Sequence, residues 1–398
     1  MMKKKIVNNL FQRFGFEIRR FTPALYRDFV SLKAIGPAKG DVLLAYIVDP
    51  FLLKEGGLPS SSHTHHMESL LIAEAFRSLG YNVDVIDYRN GVFKPRKNYT
   101  FFVSARTHFT RIASQLNHDC IKIAHLDTAH FLFNNAAAYR RLLELQQRRG
   151  VTTASLKWIE HNYAPESADY LTVLGNGFTE STYSYSKKQI FRLPVPAPDT
   201  CPPCFQKDFS QYKNRFLWLG SSGVVHKGLD LVLDVFSELP DHHLTVCGPL
   251  DDPAESEFQR AYHRELYETA NIDTVGWVDV SSQKFVDITS KCCALIYPSS
   301  SEGQAGAVVT CLQASLIPLV SYESGIDVGD FGIILKGSSH LEIKDVIMKI
   351  SEKPNAELAE MSRGSYEYAK SNHSKENYRK EFRRVIVEIG TERGLQMQ

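Results

Sequence analysis

The sequence predicts an α/β fold of two Rossmann-like, doubly wound domains facing each other across a cleft, and three observations predict it. The chain has 398 residues, more than one ordinary core fills, which suggests two domains of about 150 to 200 residues each. From Gly40 onward, short β-rich runs alternate with amphipathic helical windows, the pattern of βαβ units and a parallel sheet. The alternation lapses around LPVPAPDTCPPCF, where prolines crowd and periodicity is lost, and then resumes. The implied division is a basic N-terminal extension over 1–37, a first domain over 38–205, a second over 206–372 and a terminal helix over 373–398.

In the first domain DVLLAYIV (Asp41 to Val48) reads as a buried strand, and Met67, Leu71, Ala75, Phe76 and Leu79 mark one face of a helix that Gly80 closes. YNVDVIDY follows as a strand, with others at Thr100 to Ser104, Cys120 to Leu126, Asp169 to Gly175 and Gln189 to Val195. The second series runs RFLWLG, a helix from Gly228 to Leu239, HLTVCGP, a helix within Glu257 to Ala270, DTVGWV, a helix from Ser282 to Ser290, CALIYPS, a helix within Gly306 to Ser315, and IPLVS. At the end Ser374 is placed to cap a helix whose Tyr378, Phe382, Val385, Ile386 and Ile389 form one apolar stripe. Two such domains leave a cleft at the carboxyl ends of their strands, where ligands of open α/β folds bind.

Composition narrows the partners. A net charge of +1 provides no overall basic field for nucleic acid, so small molecules are the expected ligands. The seven cysteines are an odd set, mostly in apolar strand-like runs, which fits a reducing cytoplasm. Cys201-Pro-Pro-Cys204 has no second pair or nearby histidine to complete a metal site and reads as linker. The N-terminal MMKKKIVNNLFQRFGFEIRRF has no apolar core long enough for a signal peptide or a span. Its basic residues and its helically spaced Ile6, Leu10, Phe11, Phe14 and Ile18 suit either peripheral contact with an anionic membrane or packing on the domain.

Chemistry is expected at strand-to-helix turns. Gly220 to Gly228, GSSGVVHKG, follows a strand and opens a helix. The outward amides of Gly220, Ser221, Ser222 and Gly223, the helix dipole and Lys227 together suit a phosphate, although such a lysine can also be merely solvated. The Walker spacing is absent. Glu302, after CALIYP, offers an acceptor pair for vicinal hydroxyls or favours a helix start, and Gly303 and Gly306 let backbone approach a ligand. In the first domain Gly56-Gly57 and SSSHTHHMES precede a helix. Consecutive His65 and His66 point apart, which argues against a metal site with His63, and Thr64 reads as the cap. His125, Asp127 and His130 follow another strand toward the cleft, as does His108, and each histidine could equally be an ordinary hydrogen-bonded one.

HKGLDLVLDVF and YPSSSEGQAGAVVTCLQASLIPLVSYESG, with the spaced strands, resemble the donor half of family 4 glycosyltransferases of the GT-B fold; the likeness covers roughly Gly40 to Ile389. The resemblance implies that Lys227 binds the donor diphosphate, that Glu302 contacts the donor sugar, and that the amides of Gly303, Gln304, Ala305 and Gly306 lie near sugar and phosphates. It implies that Gly56 and Gly57 approach the diphosphate, and that His125, with Asp127 beside it, stands near the reacting sugar, Arg106 and His108 being alternatives. It further implies retention of configuration, no required metal or other cofactor, and a terminal helix crossing back to the first domain. Two departures stand out. The second glutamate of Glu-x7-Glu falls on Thr310, or on Cys311 when counted back from Pro318, and the arginine near the lysine is replaced by Ser221 or Ser222.

The expected function is transfer of a sugar from a nucleotide diphosphate to a glycan, lipid-linked or other acceptor. The two departures keep open a non-catalytic nucleotide-sugar binder, and a GT-B phosphorylase or epimerase is the enzymatic alternative.

Overall fold

Strands covered on both faces read as unbroken apolar runs rather than alternating ones, and Val42 to Ala45, Phe101 to Val103 and Leu295 to Ile296 are all fully buried. The computed structural model describes residues 30–53, 64–153, 157–197 and 207–397. Among them the first sheet has seven strands: β1 (Val30–Leu32), β2 (Gly40–Tyr46), β3 (Tyr81–Asp87), β4 (Phe101–Ser104), β5 (Ile121–Leu126), β6 (Tyr170–Leu174) and β7 (Ile190–Leu193). Their spatial order is β1-β3-β2-β4-β5-β6-β7, parallel except for β1 against β3. The second sheet is wholly parallel: β8 (Arg215–Leu219), β9 (His243–Cys247), β10 (Ile272–Gly276), β11 (Ala294–Tyr297), β12 (Ile317–Ser321) and β13 (Ile333–Leu335), in the order β10-β9-β8-β11-β12-β13.

The strand order reverses between β2 and β4 in one sheet and between β8 and β11 in the other. Loops leaving adjacent strands in opposite directions open a crevice at each reversal. The loop after β8 carries Lys227 and the loop after β11 carries Glu302.

The helices that bear on the site are α1 (Thr64–Ser78), α2 (Phe131–Arg149), α3 (Leu229–Phe236), α4 (Gln283–Ser290), α5 (Gly306–Gln313), α6 (His340–Glu352), α7 (Asn355–Asn372) and α8 (Lys375–Glu392). Ser374 caps α8 by accepting from Asn377 N, and Tyr378, Phe382, Val385, Ile386 and Ile389 are buried. That stripe packs on the first domain, where the Phe382 and Phe76 rings lie 5.8 Å apart and Arg379 pairs with Glu74 at 2.9 Å. The return is pinned beside the linker by Ala197 N donating to His373 O at 2.9 Å and His373 Nδ1 lying 2.9 Å from Val195 O. Across the cleft α2 ends in a latch: Arg148 pairs with Asp230 and Asp234, and Arg149 with Asp234 and, at 2.8 Å, with Glu265.

Some elements differ from the sequence reading. β1 lies in the stretch assigned to the extension, and at three residues it is too short to show a period. The single helix expected within Glu257 to Ala270 is two, Ser256–Ala261 and His263–Tyr267. They break at Tyr262, which is fully buried and stacked on Phe258 at 4.7 Å. The helix expected from Gly228 begins at Leu229, because Gly228 takes φ 75° and a Cβ there would sit 2.5 Å from Pro298 O. The extension before Val30, the Gly56-Gly57 loop, His63 and the Cys201/Cys204 pair lie outside the described residues. Five cysteines within them are free and buried.

Candidate active site

On the second domain the turn Gly220 to Gly228 folds back on Trp218, whose indole donates to Lys227 O at 3.3 Å. This buries Lys227 and aims its ammonium at the neighbouring loop. Nζ donates to Ser222 O at 3.0 Å and lies 3.7 Å from Glu302 Oε1, with the two side chains 5% and 15% exposed. Oε1 of Glu302 also accepts from Tyr297 OH at 3.1 Å and Ser299 Oγ at 3.2 Å. Burial would push the Glu302 carboxyl up, but Lys227, His226 and Lys157 hold it below its ordinary value. Burial brings Lys227 down to about 8 even with Glu302 beside it. His226, buried against Ser301 O at 2.5 Å, is lowered to about 4 and is neutral.

The amides around this pair divide into two sets. Gly223 N donates to Glu255 Oε1 at 2.6 Å, Glu302 N to Glu323 O and Ala305 N to Ser324 O, both at 2.9 Å, so these three already have acceptors. Gly306, Ala307 and Val308 open α5, where N–H groups lack intrahelical acceptors, and Ala305 at the cap position makes no side-chain hydrogen bond to them. The free positive end of α5 therefore borders Glu302.

The first domain presents a charged network at its own reversal point. Tyr46 ends β2, Arg106 follows β4, His125 ends β5 with Asp127 just beyond, and α1 supplies His65 and Glu68 from one face. The fully buried Glu68 accepts from Tyr46 OH at 2.7 Å and from His65 Nδ1 at 3.1 Å, with His125 Nε2 at 3.7 Å. Asp127 pairs with Arg106 and lies 3.9 Å from His65 Nε2. Burial opposes charge on all these groups, yet pairing prevails. His65 is raised to about 9 by Glu68 and Asp127, Glu68 is held well below its usual range chiefly by His65, and Asp127 is lowered by Arg106.

The two loops touch. Ala129 N donates to Glu302 O at 3.1 Å and Thr179 Oγ1 to Gly303 O at 3.0 Å. A Cβ on Gly303 would collide with Asp127 O and reach 2.9 Å from Thr128 N, so only glycine allows this approach. A Cβ on Gly306 would meet Thr64 Cγ2 at 3.3 Å. Lys227, Glu302, the start of α5, Asp127, Arg106 and His65 thus line one cleft.

Several expected residues stand elsewhere. His125 is 1% exposed, with Nδ1 2.8 Å from Thr172 Oγ1, and lies beneath the cleft floor behind Glu68. Of its alternatives, Arg106 joins the network, while His108 precedes a short helix in a left-handed conformation (φ 58°), makes no capping hydrogen bond, and lies beside Gly91. His130 accepts from Leu132 N at 3.4 Å as the cap of α2. Gln304 has its side chain occupied by Val195 N at 2.6 Å and Gly325 O at 3.3 Å, tying the loop to the linker. Ser221 and Ser222 are exposed, and Ser222 contributes its carbonyl. Thr310 lies one turn below Gly306 on the same face, donating to its carbonyl at 2.9 Å, whereas Cys311 is fully buried in the core. Glu68, Tyr46, His226, Tyr297 and Lys157 were missed. The i, i+3 spacing of His65 and Glu68 was the available signal for the first.

No family model matches the sequence, and no curated protein matches it. Solved structures do. Sucrose-phosphate synthase from Thermosynechococcus elongatus is similar over 88% of this chain and 99% of that one, with TM-score 0.61 and 12% identity. HepE of Anabaena in complex with UDP is similar over 88% and 99%, with TM-score 0.57 and 9% identity; its complex with UDP-glucose gives 88%, 100%, 0.55 and 8%. TarM matches over 80% of this chain and 57% of that one, with TM-score 0.51 and 11% identity. At such identities the likeness shows the fold, and it is the GT-B fold: two Rossmann-like domains facing each other across a cleft.

Proposed function

We propose that the protein is a glycosyltransferase that moves a sugar from a nucleotide-diphosphate donor to an acceptor hydroxyl, with retention of anomeric configuration and without a required metal. The observation that carries this reading is the meeting of Lys227 and Glu302, 3.7 Å apart, at the reversal point of the second sheet and beside the open start of α5. The reading is supported by similar folds solved with UDP and UDP-glucose.

The chemistry follows from where charge develops. The bond from the anomeric carbon to the β-phosphate oxygen breaks with its electron pair going to the diphosphate, while the acceptor oxygen bonds to that carbon and passes its proton to the departing diphosphate. Lys227 and the amides of Gly306, Ala307 and Val308 would stabilise the leaving diphosphate more in the transition state than before it. Glu302, ionised and steadied by Tyr297 and Ser299, would accept from sugar hydroxyls. On the opposite wall Asp127, Arg106 and His65 would meet the acceptor and the reacting face of the sugar. The closed loop contacts between Glu302 and Ala129 would keep out water that could hydrolyse the donor.

Thr310, in place of a second carboxylate, favours a second reading: a nucleotide-sugar binder without turnover. Purified protein incubated with UDP-, GDP- and ADP-sugars and candidate acceptors separates the two. Nucleotide release with sugar transfer supports the enzyme, and binding without release supports the binder. Phosphate-dependent breakdown or sugar isomerisation would point instead to a phosphorylase or epimerase. Among the described residues no helix is long and apolar enough to cross a membrane. Action in the cytoplasm, with the basic N-terminus resting on the inner membrane face, is part of the proposal.

A further inference from the structure

Among the described residues, the second domain sets one side-chain cation at the turn that would hold a diphosphate. Its cradle holds one ammonium, Lys227, and Glu302 already offsets it at 3.7 Å, while Glu255 accepts the Gly223 amide. The first domain supplies another cation. Lys157 reaches across the cleft onto the Gly220 to Gly228 turn, where a Cβ built on Gly223 would lie 3.5 Å from Lys157 Cβ and 3.6 Å from Cδ. Gly223 has φ 84°, so glycine is favoured there by its backbone conformation, and the side chain of Lys157 packs against it at van der Waals distance. Among the described residues no carboxylate forms an ion pair with Lys157. Its charge is felt across the cleft by Glu302, Lys227 and His226.

The backbone under Lys157 is held by two asparagines of α2, 2% and 6% exposed. Asn134 Nδ2 donates to Lys157 O at 2.8 Å, and Asn135 both accepts from Ile159 N at 3.0 Å and donates to Ile159 O at 2.9 Å. The same helix is fastened to the second domain by Arg141 Nη2 donating to Pro298 O at 3.1 Å and by the Arg148 and Arg149 latch. The closed arrangement therefore sets the position of Lys157 through a continuous chain of contacts.

We propose that Lys157 is a second diphosphate-binding cation, supplied by the first domain and completed only when the domains close. It would occupy the electrostatic role left open by Ser221 and Ser222. This inference rests on the proposed nucleotide-diphosphate donor, and the test separates the two. The full chain is titrated calorimetrically with UDP, GDP and ADP, and the diphosphate that binds is then titrated into Lys157→Met, Lys157→Arg and Lys227→Met, with thermal unfolding as the check on folding. Lys157→Met is expected to weaken that diphosphate about tenfold, roughly 1.4 kcal/mol, with the unfolding midpoint unchanged. Lys157→Arg restores most of the affinity, and ligand-observed NMR shows the uncharged nucleoside binding equally to all. Parent-like affinity in Lys157→Met alongside a loss in Lys227→Met overturns this inference alone. Failure of Lys157→Arg to restore affinity overturns it too, since charge is then not the contribution. If the full chain binds none of the three diphosphates, both this inference and the donor reading fall.

Discussion

Lys227 carries the most demanding prediction because its burial and its role conflict. The side chain is 5% exposed, and burial lowers its ammonium to about 8. A charge-assisted contact to a phosphoryl oxygen is worth about 1.5 to 3 kcal/mol, or roughly 10- to 150-fold in affinity. Against this, the Lys227–Glu302 attraction, about 4 kcal/mol at an effective dielectric of 20, must be exchanged for contacts with the donor. The net loss on Lys227→Met should thus fall in the lower half of that range, about 10- to 40-fold in kcat/KM for the donor. The pH profile is the sharper readout. Because kcat/KM reports the free enzyme, it should be level below the lysine's pKa, fall once pH rises past about 8, and level off again near the Lys227→Met value. In kcat the same limb should move upward, since bound diphosphate favours the charged form. Lys227→Arg should abolish the limb while keeping charge, and Lys227→Met should leave a flat, low profile. Steady-state nucleotide release between pH 6 and 10 measures all of this. A parent limb that persists unchanged in Lys227→Met would refute the assignment.

Three further outcomes follow from the same geometry. Gly303→Ala sets a Cβ against the Asp127 carbonyl and should cost about 1 to 3 kcal/mol of the closed contact; donor kcat/KM should drop about tenfold, with only a few degrees' change in unfolding midpoint. His65 gains its charge from Glu68 and Asp127, so its contribution to stability is fully present below its unfolded pKa and is lost as pH climbs toward about 9. Its imidazole is 38% exposed, so this amounts to about 1 to 2 kcal/mol rather than the full shift; Glu68→Gln should flatten the dependence in denaturant unfolding at pH 6 and 9, and NMR should show His65 titrating lower. Arg148→Ala leaves the buried Asp230 short of its partner and should destabilise the protein by about 3 kcal/mol in denaturant unfolding.

The sheets were legible because parallel strands covered on both faces leave continuous apolar runs, and β2, β4, β8 and β11 are all of that kind. The loops at the reversal points were legible because glycines, a lysine and an isolated carboxylate stand out against those runs. What stayed hidden depends on distance in sequence. Glu68 looked like one polar residue in a helix, and only the fold brings Tyr46, His65 and His125 around it from separate elements. Lys157 sits in a stretch with no motif, and its proximity to Gly223 depends on how the two domains dock. His125 was chosen for its place after a strand, yet a residue within a strand end can point below the sheet as readily as above it, and here it points at Glu68.

The docked state also explains why an isolated carboxylate belongs in SSSEGQAG. With the cleft closed, an unpartnered Lys227 would be a buried cation, costing several kcal/mol, and Glu302 is the nearest group able to offset it. The pairing offsets the buried charge of both groups and also sets what can displace it. A bare phosphate could take the lysine but would leave the carboxylate buried without its partner. A free sugar could take the carboxylate but would leave the lysine. On the proposed function, a sugar joined to a diphosphate would satisfy both at once, so the intact donor should bind more tightly than the nucleoside diphosphate, which engages the lysine alone.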